Sequence, residues 1–282
     1  MQTKNKYLPY LLVLPAFLVL VGILYPFGLG IYYSFTDVTF VDTVPDFVGL
    51  ENWISMFTGD HFWNAISVNL IYAFGSTTAT MLIGFFVAYY IDKYKLKWIR
   101  PILVIPFMIP PVTAALMWRV MMRPGRGGII NYLLAFLRVG PFAFLSDANL
   151  ALPSVVIIDA WVFTPFAVLI LYAGIRGVPQ NLLEAAKVDG ASELARIRHI
   201  LIPSMKTHIL IALTFRFIDS LKLFDIVYTA TRGGPAGSTE TLHIRSYFET
   251  MRWLNLGEGM PYLIVLWALC FISARFLISK WQ

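Results

Sequence analysis

Arg216 and Asp219 stand three residues apart in the middle of an otherwise apolar run, with Ser220 beside them. On a helix that spacing makes near neighbours of the two charges, which could then neutralise each other. Lys222 and Asp225 continue the polar series toward one end of the run, where long side chains can snorkel to water. A second apolar run carries Asp159, Trp161, Phe163 and Thr164. A carboxylate accepts hydrogen bonds from two hydroxyls at once, and an aromatic face stacks on the apolar face of a pyranose. The set therefore suits a polyhydroxylated solute. Two readings stand: a polar rail along a solute cavity, or a structural ion pair locking helices, with Trp161 a packing residue.

Other chemistry is poorly supplied. His61, His199, His208 and His243 show no metal spacing with a third ligand. The single cysteine, Cys270, excludes an internal disulfide and reads as a small buried hydrophobe. No activated-serine turn and no cysteine–histidine arrangement is present. A phosphate-binding loop of the Gly-x-x-x-x-Gly-Lys-Ser/Thr type is missing, as is a soluble stretch long enough for a nucleotide-binding domain. The chain is therefore expected to bind no cofactor and to catalyse no reaction of its own.

The elements that position these residues are membrane helices. Of 282 residues, 58% are hydrophobic and only 13% charged, about half the charge of an ordinary soluble domain. Six apolar stretches reach the roughly 20 residues a bilayer crossing needs: 9–35, 62–91, 99–122, 150–175, 209–229 and 260–277. Each is expected to be helical, because lipid offers the backbone no hydrogen-bond partner. Pro101, Pro106, Pro110 and Pro111 predict a kinked or partly unwound third span. Gly75, Ser76, Thr77, Thr78, Thr80 and Gly84 suit the second to close helix packing. The first span is too long for a signal peptide and lacks a cleavage site after it, so it reads as a retained helix. The fold class is all-α, a single membrane domain over 1–282.

Charge sets the orientation. With the N-terminus inside, the inner segments hold Lys4, Lys6, Lys93, Lys95, Lys97, Arg100, Arg176, Lys187, Arg196, Arg198, Lys206, Arg275 and Lys280. Against the four acids there, they net +9, while the rest of the chain nets −3, for the overall +6. The first outer loop has five acids and no Lys or Arg. One region dissents: Arg119, Arg123, Arg126 and Arg138 fall near an outer connection, which is expected to be structured. The net positive charge thus reflects topology, and no basic block points to nucleic acid.

The longest inner connection, 176–208, reads RGVPQNLLEAAKVDGASELARIRHILIPSMKTH. Asn181 is a plausible N-cap for a helix through Lys187, Gly190 permits a sharp turn, and a second helix is expected over 192–200, ending near Pro203. Two short helices so joined make a protruding knob. Glu184-Ala185-Ala186, Asp189-Gly190-Ala191 and the run ending at Pro203 resemble the EAA loop of permease subunits in ATP-binding-cassette importers. Ile197 stands where that family often has Phe.

A second resemblance is carried by Phe224–Thr229, Arg232-Gly233-Gly234-Pro235, Ser238–Thr241 and the opening LPYLLVLPAFLVLVGILYPFGLGIYYSFTD. These segments are similar to carbohydrate-uptake permeases, in particular the first of two non-identical ones. The resemblance implies a type I importer permease fold, with Glu184, Ala185, Ala186, Asp189, Gly190, Ala191 and Pro203 forming the coupling element that docks on an ATPase. It implies a mid-membrane binding region that matches Asp159, Trp161, Thr164, Arg216, Asp219 and Ser220. Implied partners are a second permease, two ATPase subunits carrying ATP and Mg, an extracytoplasmic solute-binding protein, membrane lipid and a carbohydrate, in a prokaryotic plasma membrane with both termini cytoplasmic. The carbohydrate expected is an oligosaccharide, and Arg216 and Lys222 keep an acidic saccharide or a sugar phosphate open; the same machine for glycerol phosphate, polyamine or amino acid, a secondary carrier, and a membrane enzyme are the alternatives.

Overall fold

The structure, a computed structural model, describes residues 8–42, 44–96 and 98–280, so Lys4, Lys6 and Lys97 lie outside the described residues. In chain order its helices are α1 Leu8–Tyr33, α2 Glu51–Thr58, α3 Asp60–Lys93, α4 Ile99–Met108, α5 Pro111–Met121, α6 Ile129–Phe136 and α7 Ala148–Gly177. There follow α8 Gln180–Val188, α9 Glu193–Arg196, α10 Ile202–Ser204, α11 Lys206–Lys222, α12 Asp225–Thr231, α13 Leu242–Tyr247 and α14 Leu256–Ile278. Among the described residues the only strand-like pairings are isolated bridges, Thr36 with Phe47 and Thr39 with Asn255.

Four helices, α1, α3, α7 and α14, are long and apolar enough to cross a membrane alone. Two bent pairs raise the number to six if each is one crossing. The proline-rich third span breaks between α4 and α5 with a 95° bend. Ile109, ahead of Pro110, is driven to an extended ψ of 127°, as the residue before a proline must be. The connection after α5 is structured as expected, with a 3-10 turn at Gly125–Gly127 followed by α6.

Three local expectations are corrected. The run 209–229 is not one helix: α11 stops at Lys222 and α12 restarts at Asp225. Side chains take up the carbonyls at the break, Asn69 Nδ2 donating to Leu221 O at 3.2 Å and the His243 ring meeting Lys222 O at 3.0 Å. Asn181 is not the cap of α8, which begins one residue earlier behind Pro179. The second helix of the knob does not stop at residue 200 but runs on to Ser204, one residue past Pro203. A π turn over Ile197–Leu201 widens the coil just ahead of the ring, which lacks an N–H and would crowd a regular α turn, and helix continues to Ser204.

The described residues form two compact units. One comprises those of Met1–Phe62 with Arg245–Val265. In it Asn52 donates to Ser34 O and Thr36 O at 3.2 and 2.8 Å, and Gly257 N donates to Val38 O at 3.0 Å. Gly257 is obligatory, since a Cβ there would meet Thr36 O at 2.1 Å. Arg245 pairs with Glu249 at 2.6 Å, and burial nonetheless pushes the Glu249 carboxyl above its ordinary value.

The second unit, Trp63–Ile244 with the described part of Leu266–Gln282, is built on α7, which packs against α4, α5, α11 and α12. Its apolar core joins Ala88 and Ile91 of α3, Ala167 and Leu171 of α7, and Leu201, Met205 and Ala212. Because lipid is as apolar as a leucine, close backbone approach replaces hydrophobic drive as the source of helix association. Gly84 of α3 supplies it: a Cβ there would lie 2.8 Å from Ala167 Cβ, and one at Gly174 of α7 would lie 2.9 Å from His208 Cβ. Gly84→Leu is expected to destabilise by about 1–3 kcal/mol through overpacking, read as a lower thermal-unfolding midpoint in detergent. Gly177→Ala, with nothing within 4 Å of the added Cβ, should leave the midpoint in place. Equal midpoints for the two variants would rule out α3–α7 contact as a determinant of stability.

Candidate functional site

Arg216 of α11 lies inside the second unit, 1% exposed, and its partner is Asp159 of α7, 0% exposed, not Asp219. The guanidinium also reaches Ser76 Oγ at 3.2 Å and Thr80 Oγ1 at 3.4 Å on α3, and lies 4.4 Å above the Phe163 ring. Ser220, one turn on, meets Ser76 Oγ at 2.8 Å and donates to Arg216 O at 2.8 Å. Three helices are thereby tied at one polar node. The small polar residues of α3 serve as hydrogen-bond partners as well as spacers. Such a node is tolerable in an apolar interior only because opposite charge and hydroxyls arrive together.

Asp219 pairs instead with Lys222, at 3.0 Å on the exposed side of α11. It lines an open hollow of about 420 Å³ with Phe163, Lys222, Phe224, Asp225 and His243. Phe224 stacks on Tyr228 with centroids 4.9 Å apart, giving the hollow a fixed aromatic wall. Trp161 packs edge-to-face on Trp118, with centroids 5.8 Å apart. Thr164 is buried, and its Oγ1, Asp159 Oδ1 and Arg216 Nη1 are sealed from solvent with no hydrogen-bond partner among the described residues. Of the six residues singled out for a solute path, Asp159, Arg216 and Ser220 meet in the sealed node, Thr164 is buried, Trp161 packs on Trp118, and Asp219 lines the hollow.

The knob lies at the other end of α7. The α8 carbonyls are closed by a paired motif: Ala191 N donates to Ala186 O at 2.9 Å and Gly190 N to Lys187 O at 3.2 Å. That geometry needs a left-handed residue between them, and Gly190 has φ +79°. Ser192 then caps α9, its hydroxyl accepting from Ala195 N at 3.3 Å. Glu184, Ala185, Asp189 and Pro203 are exposed, as are the apolar Leu182, Val188 and Leu194; Ala186 and Ala191 are half-buried. Glu193 accepts from Lys93 Nζ at 2.6 Å and from Tyr89 hydroxyl at 2.8 Å, fastening the knob to α3. Sequence reasoning passed over this clamp, because residues 100 apart carry no local signal of contact.

Within the second unit, long apolar helices thus enclose a sealed ion pair, and a helix–turn–helix knob follows the end of α7, the architecture of a membrane transport subunit. The chain belongs to the family of binding-protein-dependent transport system inner membrane components, whose profile matches residues 80–279. It is therefore a multi-pass inner-membrane protein. It is 35% identical to the trehalose/maltose transport system permease protein MalF of Thermococcus litoralis over 92% of this chain and 88% of that one. It is 30% identical to the trehalose transport system permease protein SugA of Mycobacterium tuberculosis, over 99% and 90%. Its fold is that of a chain of a bacterial ABC transporter involved in import of the acidic polysaccharide alginate, with TM-score 0.84, 19% identity and coverage of 99% and 96%.

The node yields a double-mutant cycle. Asp159→Leu and Arg216→Met should each cost about 3–5 kcal/mol, because each leaves one buried charge unpaired, while the double variant recovers most of the loss. Thermal unfolding in detergent reads all three. Additive losses in the double variant would mean that the two side chains are not coupled.

Proposed function

We propose that this chain is the permease subunit of an ATP-driven importer of an oligosaccharide, working by alternating access. The observation that carries the reading is the knob, a rigid helix–turn–helix whose exposed face combines Glu184 and Ala185 with the apolar Leu182, Val188 and Leu194. Exposed apolar side chains on a rigid protrusion suit a protein cleft better than water. The occupant proposed is a separate ATPase subunit, which holds ATP and Mg. Glu184 pairs with a basic residue there, and the small Ala185 and Ala186 permit close approach. Two such ATPases, a second permease and an extracytoplasmic solute-binding protein complete the machine, and both termini of this chain are cytoplasmic.

Ring chemistry and the relatives support the substrate class. Arg216 is paired with Asp159 inside the node, and Lys222 with Asp219 on the open hollow. Phe163, Phe224 and Asp219 on the open hollow offer an aromatic wall and a carboxylate acceptor, which suit hydroxyl-rich rings. The named transport systems of the two permease relatives carry trehalose and maltose, which are oligosaccharides. In the mechanism, closure of the ATPase pair moves the knob, and the Glu193–Lys93–Tyr89 clamp passes that motion to α3. The sealed node is the element that repacks: Asp159 Oδ1 and Arg216 Nη1 have no hydrogen-bond partner among the described residues, and a second state that satisfies them is favoured by the contacts it gains. Nucleotide on one side and loaded binding protein on the other supply the differential contacts that switching requires.

The test is reconstitution of the assembled transporter and measurement of ATP hydrolysis stimulated by loaded binding protein. Gly190→Asp, which strains the left-handed turn, and Glu184→Lys, which reverses the docking charge, should bring stimulation near the basal rate while the complex stays monodisperse. Normal uptake by both variants, or uptake by this chain alone without ATP, refutes the reading in favour of a secondary carrier.

A further inference from the structure

Two of the arginines that break the charge rule, Arg119 and Arg123, meet a third from a distant helix. Arg119 and Arg123, at and just beyond the end of α5, and Arg232, at the end of α12, line one hollow of about 760 Å³ together with Leu145, Ser146 and Pro235. No acidic residue lines it, and none of the three arginines forms an ion pair among the described residues. Three unpaired cations around a concave surface raise the local potential well above that of scattered surface charge.

The walls are rigid. Arg232 is the C-cap of α12 in the left-handed conformation, φ +53°, which a side chain with a Cβ adopts only under constraint. The turn behind it is closed by Thr239, whose N–H donates to Gly233 O at 3.3 Å and whose hydroxyl donates to Gly234 O at 2.9 Å. Across the hollow, Asn131 Nδ2 donates to Arg123 O at 2.9 Å. Gly128 packs so closely there that a Cβ would lie 2.3 Å from that carbonyl. The backbone of two arginines is thus held in place before any ligand arrives, which lowers the ordering cost of binding.

Its position selects the ligand. Leu145 and Ser146 precede Asp147, the cap of α7, whereas the knob follows the last residue of the same 30-residue helix. At 1.5 Å per residue the two lie roughly 45 Å apart along α7, so they belong to opposite sides of the membrane. We infer that the hollow formed by Arg119, Arg123 and Arg232 is a docking site for a cluster of carboxylates on the extracytoplasmic solute-binding protein. The inference rests on the importer reading above. Three arginines spread over such a volume match several carboxylates on one protein protrusion. A single lipid phosphate would leave cations unpaired.

The experiment uses the whole transporter in nanodiscs of neutral phosphatidylcholine, with the Kd of loaded binding protein measured between low and physiological salt. Replacing all three arginines by alanine should weaken binding about tenfold at low salt and flatten its salt dependence, as loss of steering charge does. Replacing them by lysine should keep most of both, and basal ATP hydrolysis should be unchanged in each variant. Wild-type affinity and salt slope in the alanine variant overturn the inference alone; a wild-type transporter that binds no binding protein overturns the importer reading beneath it. An effect seen only when phosphatidylglycerol is added assigns the hollow to lipid headgroups and overturns the inference. Saturable binding of free tri-galacturonate at the hollow, lost in the alanine variant, assigns it to an acidic solute and overturns it equally.

Discussion

A guanidinium in the interior of a membrane bundle is tolerated only when a carboxylate and hydroxyls are brought to it, and that requirement organises the second unit of this chain. Arg216 on α11 holds Asp159 on α7 and Ser76 and Thr80 on α3, so three helices acquire a fixed rotation about their axes. Gly84 and Gly174 let the same helices approach to backbone contact. Apolar packing alone would leave their rotation weakly specified, since lipid and neighbouring helix are nearly equivalent surroundings for a leucine.

The same node separates the polar residues into two kinds. Those that satisfy one another are sealed: Arg216, Asp159 and Ser220 face helices. Others pair on an open surface, as Asp219 and Lys222 do beside Phe163 and Phe224. A transport subunit needs both, because a path that carried unpaired charge through the membrane would be costly when empty. Among the described residues Asp159 Oδ1 and Arg216 Nη1 keep unused hydrogen-bonding capacity, which is costly in a buried polar node.

At its two ends the second unit presents surfaces of different character. The knob joins apolar side chains to a carboxylate on a turn closed by Gly190, and Glu193 fastens it to α3 through Lys93 and Tyr89. The opposite hollow is cationic and held by the Gly233–Thr239 turn and by Asn131. Rigid scaffolding is common to both, and it suits surfaces that must be recognised by other proteins without reordering.

Much of this was legible in the residues themselves. Span positions follow from the length of apolar runs, since lipid forces each to be a helix. The broken third span follows from Pro110 and Pro111, and the knob from Gly190 and Ser192, because caps and left-handed turns are decided within a few residues. Only tertiary structure decided that Arg216 pairs with Asp159 rather than with its helical neighbour Asp219, a choice made by the rotation of α7 against α11. Packing likewise ended α11 at Lys222, through Asn69 and His243, and carried the helix through Pro203 by a π turn. The meeting of Arg119, Arg123 and Arg232 across more than a hundred residues depends on how α5 and α12 pack. Local propensity operates over one or two turns, whereas these outcomes depend on which distant helix supplies the missing hydrogen bond.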